Sequence, residues 1–110
     1  MEEGLRIAKT EALFRSVNER IAETAERFES EEAEFVCECS DTACIERVEA
    51  RLDDYEQVRS DGTHFLLVPG HEDTRIERVV GRRRRYAIVE KWHRSVARHV
   101  RRFDPRGQPA

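Results

Sequence analysis

Between about Arg6 and Ser30 the apolar residues Leu13, Phe14, Val17, Ile21, Ala25 and Phe28 recur at steps of three and four, and no Pro or Gly interrupts them. That period predicts one long amphipathic helix. We read its stripe as the cover of the domain's own sheet, because the repeat lasts too few heptads for a convincing coiled coil. A dimer seam is the alternative.

The pattern then changes. Glu34-Phe35-Val36-Cys37 reads as a short strand, and Val48, Ala50 and Leu52 alternate as a strand does, although Ile45, Val48 and Leu52 also fit a helix. Asp53 or Asp54 is placed to cap a short helix through Tyr55, Val58 and Arg59 that ends in the turn Ser60-Asp61-Gly62. Phe65 to Val68 is the next strand. Ile76 to Val80 and Tyr86 to Lys91 flank Gly81-Arg82-Arg83-Arg84-Arg85 and predict a hairpin with a basic tip. Val96, Ala97, Val100 and Phe103 predict a C-terminal helix stopped before Pro105. The fold expected is α+β, a long N-terminal helix and a C-terminal helix packed on one small, mostly antiparallel sheet. Residues 1–110 form one domain with free ends at 1–5 and 104–110.

Candidate chemistry is concentrated in Cys37-Glu-Cys39-Ser-Asp-Thr-Ala-Cys44 and the turn Pro69-Gly70-His71. Three thiolates and an imidazole make the complete first shell of a closed tetrahedral zinc site. Cysteine is otherwise absent, and three cysteines cannot all pair within one chain, which weighs against a disulfide framework. His64 and His71 both compete for the fourth position. His64 should share a strand face with Leu66 and Val68, an ordinary half-buried place. His71 follows a glycine that allows close backbone approach, and we favour it. Buried, metal-free thiols are the bland alternative. Thiolate-rich sites accept zinc or iron, and Zn(2+) is the metal expected.

A closed ligand set leaves no position for water, so no catalytic residue is nominated. Glu38 invites comparison with zinc deaminases, but their His-x-Glu and Pro-Cys-x-x-Cys elements are missing. No Gly-rich phosphate loop or nucleophile motif is present.

At 110 residues with 38% hydrophobic and 39% charged side chains, the chain can build one modest core, which a structural metal would reinforce. No apolar run approaches the roughly 20 residues of a membrane span, and no signal-peptide pattern opens the chain. A cytoplasmic protein is expected. The net charge of −3 hides an asymmetry: residues 1–56 hold 17 acidic and 7 basic side chains, residues 57–110 hold 6 and 13. Contact between the two halves is the simplest reading. A basic surface for an acidic partner is the other.

That surface would be Arg82, Arg83, Arg84 and Arg85 with Arg98, Arg101 and Arg102 on the following helix, since guanidinium forks suit phosphates. Against nucleic-acid binding stand the acidic total and the lack of aromatic residues interleaved with the arginines. His93 and His99 fall on different helix faces and make no metal pair. Trp92 reads as a core or interface aromatic.

The set Phe14-Arg15-x-Val17-Asn18-Glu19-Arg20-Ile21, Phe35-Val36-Cys37-Glu38-Cys39, Cys44, Tyr55-Glu56-x-Val58-Arg59 and Pro69-Gly70-His71-Glu72 resembles a group of small, uncharacterised bacterial proteins. The resemblance covers about residues 6–91 and brings no established activity. It implies that the cysteines and His71 form one unit with the long helix. Gly81 to Arg85 lies outside its motifs. The function expected is a non-enzymatic zinc module acting through macromolecular contacts, with protein the first partner to consider; a nucleic-acid-binding regulator and a zinc-thiolate redox sensor are the alternatives.

Overall fold

A computed structural model describes residues 2–106. Helix α1 (Glu2–Arg27) begins in the segment expected to be free and runs 26 residues. It ends where Glu29 turns left-handed at φ 58° and the Ser30 amide donates to the Ala25 carbonyl at 2.8 Å, a bond that closes helix ends of this kind.

Strands β1 (Glu32–Val36) and β2 (Arg47–Arg51) form an antiparallel pair in which Phe35 faces Val48. Helix α2 (Leu52–Arg59) follows at once. Neither aspartate caps it: the N-cap is Arg51, without a side-chain bond, and Asp53 and Asp54 lie inside the first turn. Carboxylates there still favour the positive end of the helix. Strands β3 (His64–Leu67), β4 (Glu77–Arg82) and β5 (Ala87–Lys91) make a second antiparallel sheet of order β3-β5-β4, with a bulge between Val79 and Gly81. The predicted hairpin is present. Helix α3 (Arg94–Arg102) closes the fold against α1.

The architecture is α+β, with two small sheets where one was expected. The reason is the cysteine loop. Past Cys37, whose amide still donates to the Glu46 carbonyl at 3.1 Å, the chain turns into that loop, and among the described residues one backbone–backbone bond links it to the second sheet, from the Glu38 amide to the Leu66 carbonyl at 2.8 Å. One core gathers Ile7, Cys37, Cys39, Phe65, Leu67, Val89 and Val96; another gathers Phe35, Val48, Tyr55, Val58, Leu66 and Tyr86. Strand β3 serves both, because alternate side chains leave opposite faces.

The stripe of α1 is the largest departure from expectation. The face turned inward carries Ile7, Ala8, Glu11, Arg15, Asn18 and Ala22. Much of the apolar stripe turns outward, leaving Leu13 63%, Val17 41% and Phe28 75% exposed, while Phe14, Ile21 and Ala25 are half-buried. Only its Ile21 edge packs against the core beneath the β1–β2 sheet. Polar residues go inside because each meets a partner from elsewhere: the Lys91 Nζ donates to Glu11 Oε2 at 2.7 Å and also to Glu77, while Arg15 donates to the carbonyls of Gly62 and His64 and lies 3.7 Å over the Phe65 ring.

The far end also departs from expectation. Asp104 is buried and accepts from Arg59, and Arg106 donates to Glu19 and to Glu56, so residues 104–106 are held against α1 and α2. Residues 107–110 lie outside the described residues.

Candidate metal centre

Cys37 is the first residue past β1, and Cys39 and Cys44 follow in the loop to β2. The Asp41 side chain shapes that loop by accepting from the Ala43 amide at 2.9 Å, while its carbonyl accepts from Cys44 at 3.0 Å. His71 arrives from the other sheet. In the turn Val68-Pro69-Gly70-His71, the His71 amide donates to the Val68 carbonyl at 3.0 Å and Gly70 sits at φ +94°. Proline second and a positive-φ glycine third are what this turn type requires.

The three sulfurs and one imidazole nitrogen all lie within 4.8 Å of one another. The Nδ1 of His71 is 3.5 Å from the Cys37 sulfur and 3.7 Å from that of Cys44. Tetrahedral zinc bonds of 2.3 Å to sulfur and 2.0–2.1 Å to nitrogen would place such a pair about 3.6 Å apart. The four residues are close enough to hold a metal ion. Cys37 and Cys39 are buried, whereas Cys44 and His71 are half-buried beside a small surface hollow lined by Cys39, Ser40, Asp41 and His71.

The sulfurs hold their protons unequally. The hydrogen bond with Cys37 pulls the Cys39 thiol down to about 5, and the same bond together with burial pushes Cys37 up. Burial also pushes Cys44 up. The Val68 amide donates to the Cys37 sulfur at 3.3 Å, a contact that steadies thiolate charge.

Behind the cysteines stands a partner that sequence reasoning left without a role. Glu38 is fully buried, and its carboxylate accepts from Asn18 Nδ2 at 2.8 Å, the Leu66 amide at 3.0 Å and the Tyr55 hydroxyl at 3.3 Å. The Arg15 Nε lies 4.0 Å away. The residue between Cys37 and Cys39 therefore binds α1, α2 and β3 together. Its only sequence signal was a charged residue inside an apolar, cysteine-rich stretch.

His64 turns away from the cysteines. Its Nε2 is 3.2 Å from Glu90 and 3.5 Å from Asp61, a cluster not foreseen from sequence, in which Arg78 also donates to Glu90 at 2.8 Å. At the hairpin tip Arg85 pairs with Glu49 of β2, and Arg83 to Arg85 share a hollow with Glu32, Glu49 and Asp54. Arg98, Arg101 and Arg102 are exposed on α3, and Trp92 is half exposed. Among the described residues, no helix is long and apolar enough to cross a membrane.

Fold and site define an α+β protein that carries a Cys3His group able to hold a metal ion. No protein-family model, curated protein or solved structure matches the chain.

Proposed function

We propose that Cys37, Cys39, Cys44 and His71 bind one Zn(2+) as a structural ion, in a cytoplasmic, non-enzymatic module that works through contacts with protein. The observation that carries this reading is the convergence of four soft donors within 4.8 Å from two separate loops. Four protein ligands complete a tetrahedron and leave no position for water or substrate. Glu38, the nearest carboxylate in sequence, is committed to three hydrogen bonds and is not free to move a proton. The ion would join the β1–β2 loop to the turn after β3, where among the described residues one backbone–backbone bond, Glu38 to Leu66, links the loop to the second sheet. Kinship with the small bacterial proteins that share the Cys-Glu-Cys and Pro-Gly-His motifs is part of the same proposal.

Native mass spectrometry on protein purified without added metal tests it, alongside Cys39→Ser and His71→Ala. One zinc per chain, lost or weakened in both variants, is the expected result. Folded wild-type protein without metal would overturn the reading.

The hollow beside Cys39 and His71 favours a second reading, a zinc-thiolate redox sensor, because it gives a peroxide access to the ligands. Two thiolates would lose two electrons to form one disulfide, peroxide would be reduced to water, and the zinc would leave. Peroxide that fails to release zinc would dispose of it.

A further inference from the structure

The inward face of α1 buries Glu11 and Arg15 against charged partners, and much of its apolar stripe is left outside, with Ile21 half-buried at its edge. With about 100° per residue, the outward stripe lies roughly 130° around the helix from the inward one. Val17, Ile21, Thr24, Ala25 and Phe28 line a groove of about 660 Å³ that is walled on one side by Ala33 of β1. Arg20 is its one charged residue. A helix face of this kind is normally covered, and an uncovered one marks an interaction surface.

From the charges flanking the groove, we propose that a second copy of this chain covers it, with two α1 helices packed antiparallel about a two-fold axis beside Ile21. In that register Ile21 meets Ile21, Val17 meets Ala25, and Leu13 reaches Phe28 of the second copy. Arg20 and Glu23 lie on one flank of the stripe, both exposed and neither with an ion-pair partner among the described residues. Antiparallel helices bring like flanks together, so Arg20 of each copy comes against Glu23 of the other. The pairing is thus reciprocal and self-complementary, as a two-fold interface requires. A contact confined to one pair of helices falls short of the ~1,600 Å² of a standard stable interface, so the dimer is expected to form reversibly with concentration. The proposal rests on the reading of the protein as a contact-making module and names its first partner. It does not depend on which metal is bound.

Sedimentation velocity from low micromolar to millimolar protein, at low salt, tests it on the wild type, Val17→Glu, Arg20→Glu, Glu23→Arg and the double variant R20E/E23R. All three positions are solvent-facing, and circular dichroism with metal content confirms that each variant is folded. The wild type is expected to move toward twice the chain's 12.9 kDa as concentration rises. Val17→Glu should abolish association, each single reversal should weaken it at least tenfold, and the double variant should recover it. A wild type that stays monomeric to millimolar concentration overturns the proposal, as does a double variant no better than the singles; the latter would point to a different partner or register. Zinc found in a monomeric protein would sink the dimer and leave the metal reading standing.

Discussion

Glu38 and Asn18 join the cysteine loop to the long helix through one buried hydrogen bond of 2.8 Å, from the Asn18 amide to the carboxylate. Asn18 also brackets the end of β1, donating to the Val36 carbonyl at 2.9 Å while its own oxygen accepts from the Val36 amide at 2.8 Å. Three bonds at about 1 kcal/mol each make Asn18→Ala cost about 3 kcal/mol. Glu38→Ala should cost more, about 3–5 kcal/mol, because it strands the buried Arg15 guanidinium beside it. Urea denaturation of zinc-loaded protein checks both. Chelator competition should show weaker metal binding in Glu38→Ala, since the loop loses the anchor between its first two ligands.

Removing the metal should loosen the joint between the sheets before the sheets themselves. Metal affinity is folding free energy at a site with no counterpart in the unfolded chain. After chelation, hydrogen exchange should quicken at the amides of Glu38, Val68 and His71, which span the joint. The Val89 amide in central strand β5 should change least. Uniform acceleration across the chain would contradict this order.

Sequence reading brought the three cysteines and His71 together and misplaced a face. The cysteines and His71 were legible because ligand type and turn chemistry are local: a proline, a glycine and a histidine in a row already describe the turn that aims the imidazole. The long helix was legible from its uninterrupted period. Its orientation was not, because Glu11 is buried only by virtue of Lys91, 80 residues away, and Arg15 only by virtue of Gly62, His64 and Phe65. A periodicity argument sends apolar residues inward, and it cannot see long-range partners that make polar residues the better filling. The same blindness hid Asp104, whose burial depends on Arg59, and the second sheet, whose separation depends on the path of the cysteine loop.

Glu11 gives the protein a pH response on the neutral side. Burial pushes its carboxyl up to about 7 from 4.5, against the pull of Lys91, and its second oxygen has no hydrogen-bond partner among the described residues. The folded state therefore holds a proton that the unfolded state has released. This group's contribution is fully present below pH 4.5 and is lost as pH rises through about 7. Glu11→Gln can still accept from Lys91 but does not titrate. It should flatten the fall of stability between pH 5 and 8 by on the order of 3 kcal/mol, measured by denaturation across that range. An unchanged slope would contradict the assignment.

Asp104 acts on the acid side. Burial raises its pKa, but hydrogen bonds from Arg59 and the Arg106 amide outweigh burial and leave it below the usual 3.8. A depressed carboxylate contributes stability that is present above pH 3.8 and lost as pH falls through its folded value. Asp104→Ala should remove that acid dependence and cost about 2–3 kcal/mol at neutral pH, because buried Arg59 loses one carboxylate partner and keeps the other, Glu19 at 2.7 Å. Thermal unfolding of wild type and variant from pH 2 to 7 reads both effects.

The central claim concerns what the sulfurs and the imidazole hold, and X-ray absorption at the zinc edge on protein purified without added metal examines that shell directly. The account requires one zinc with three sulfurs at about 2.3 Å and one nitrogen at about 2.0–2.1 Å. An oxygen ligand in the shell, only two sulfurs, or no zinc in folded protein would contradict it.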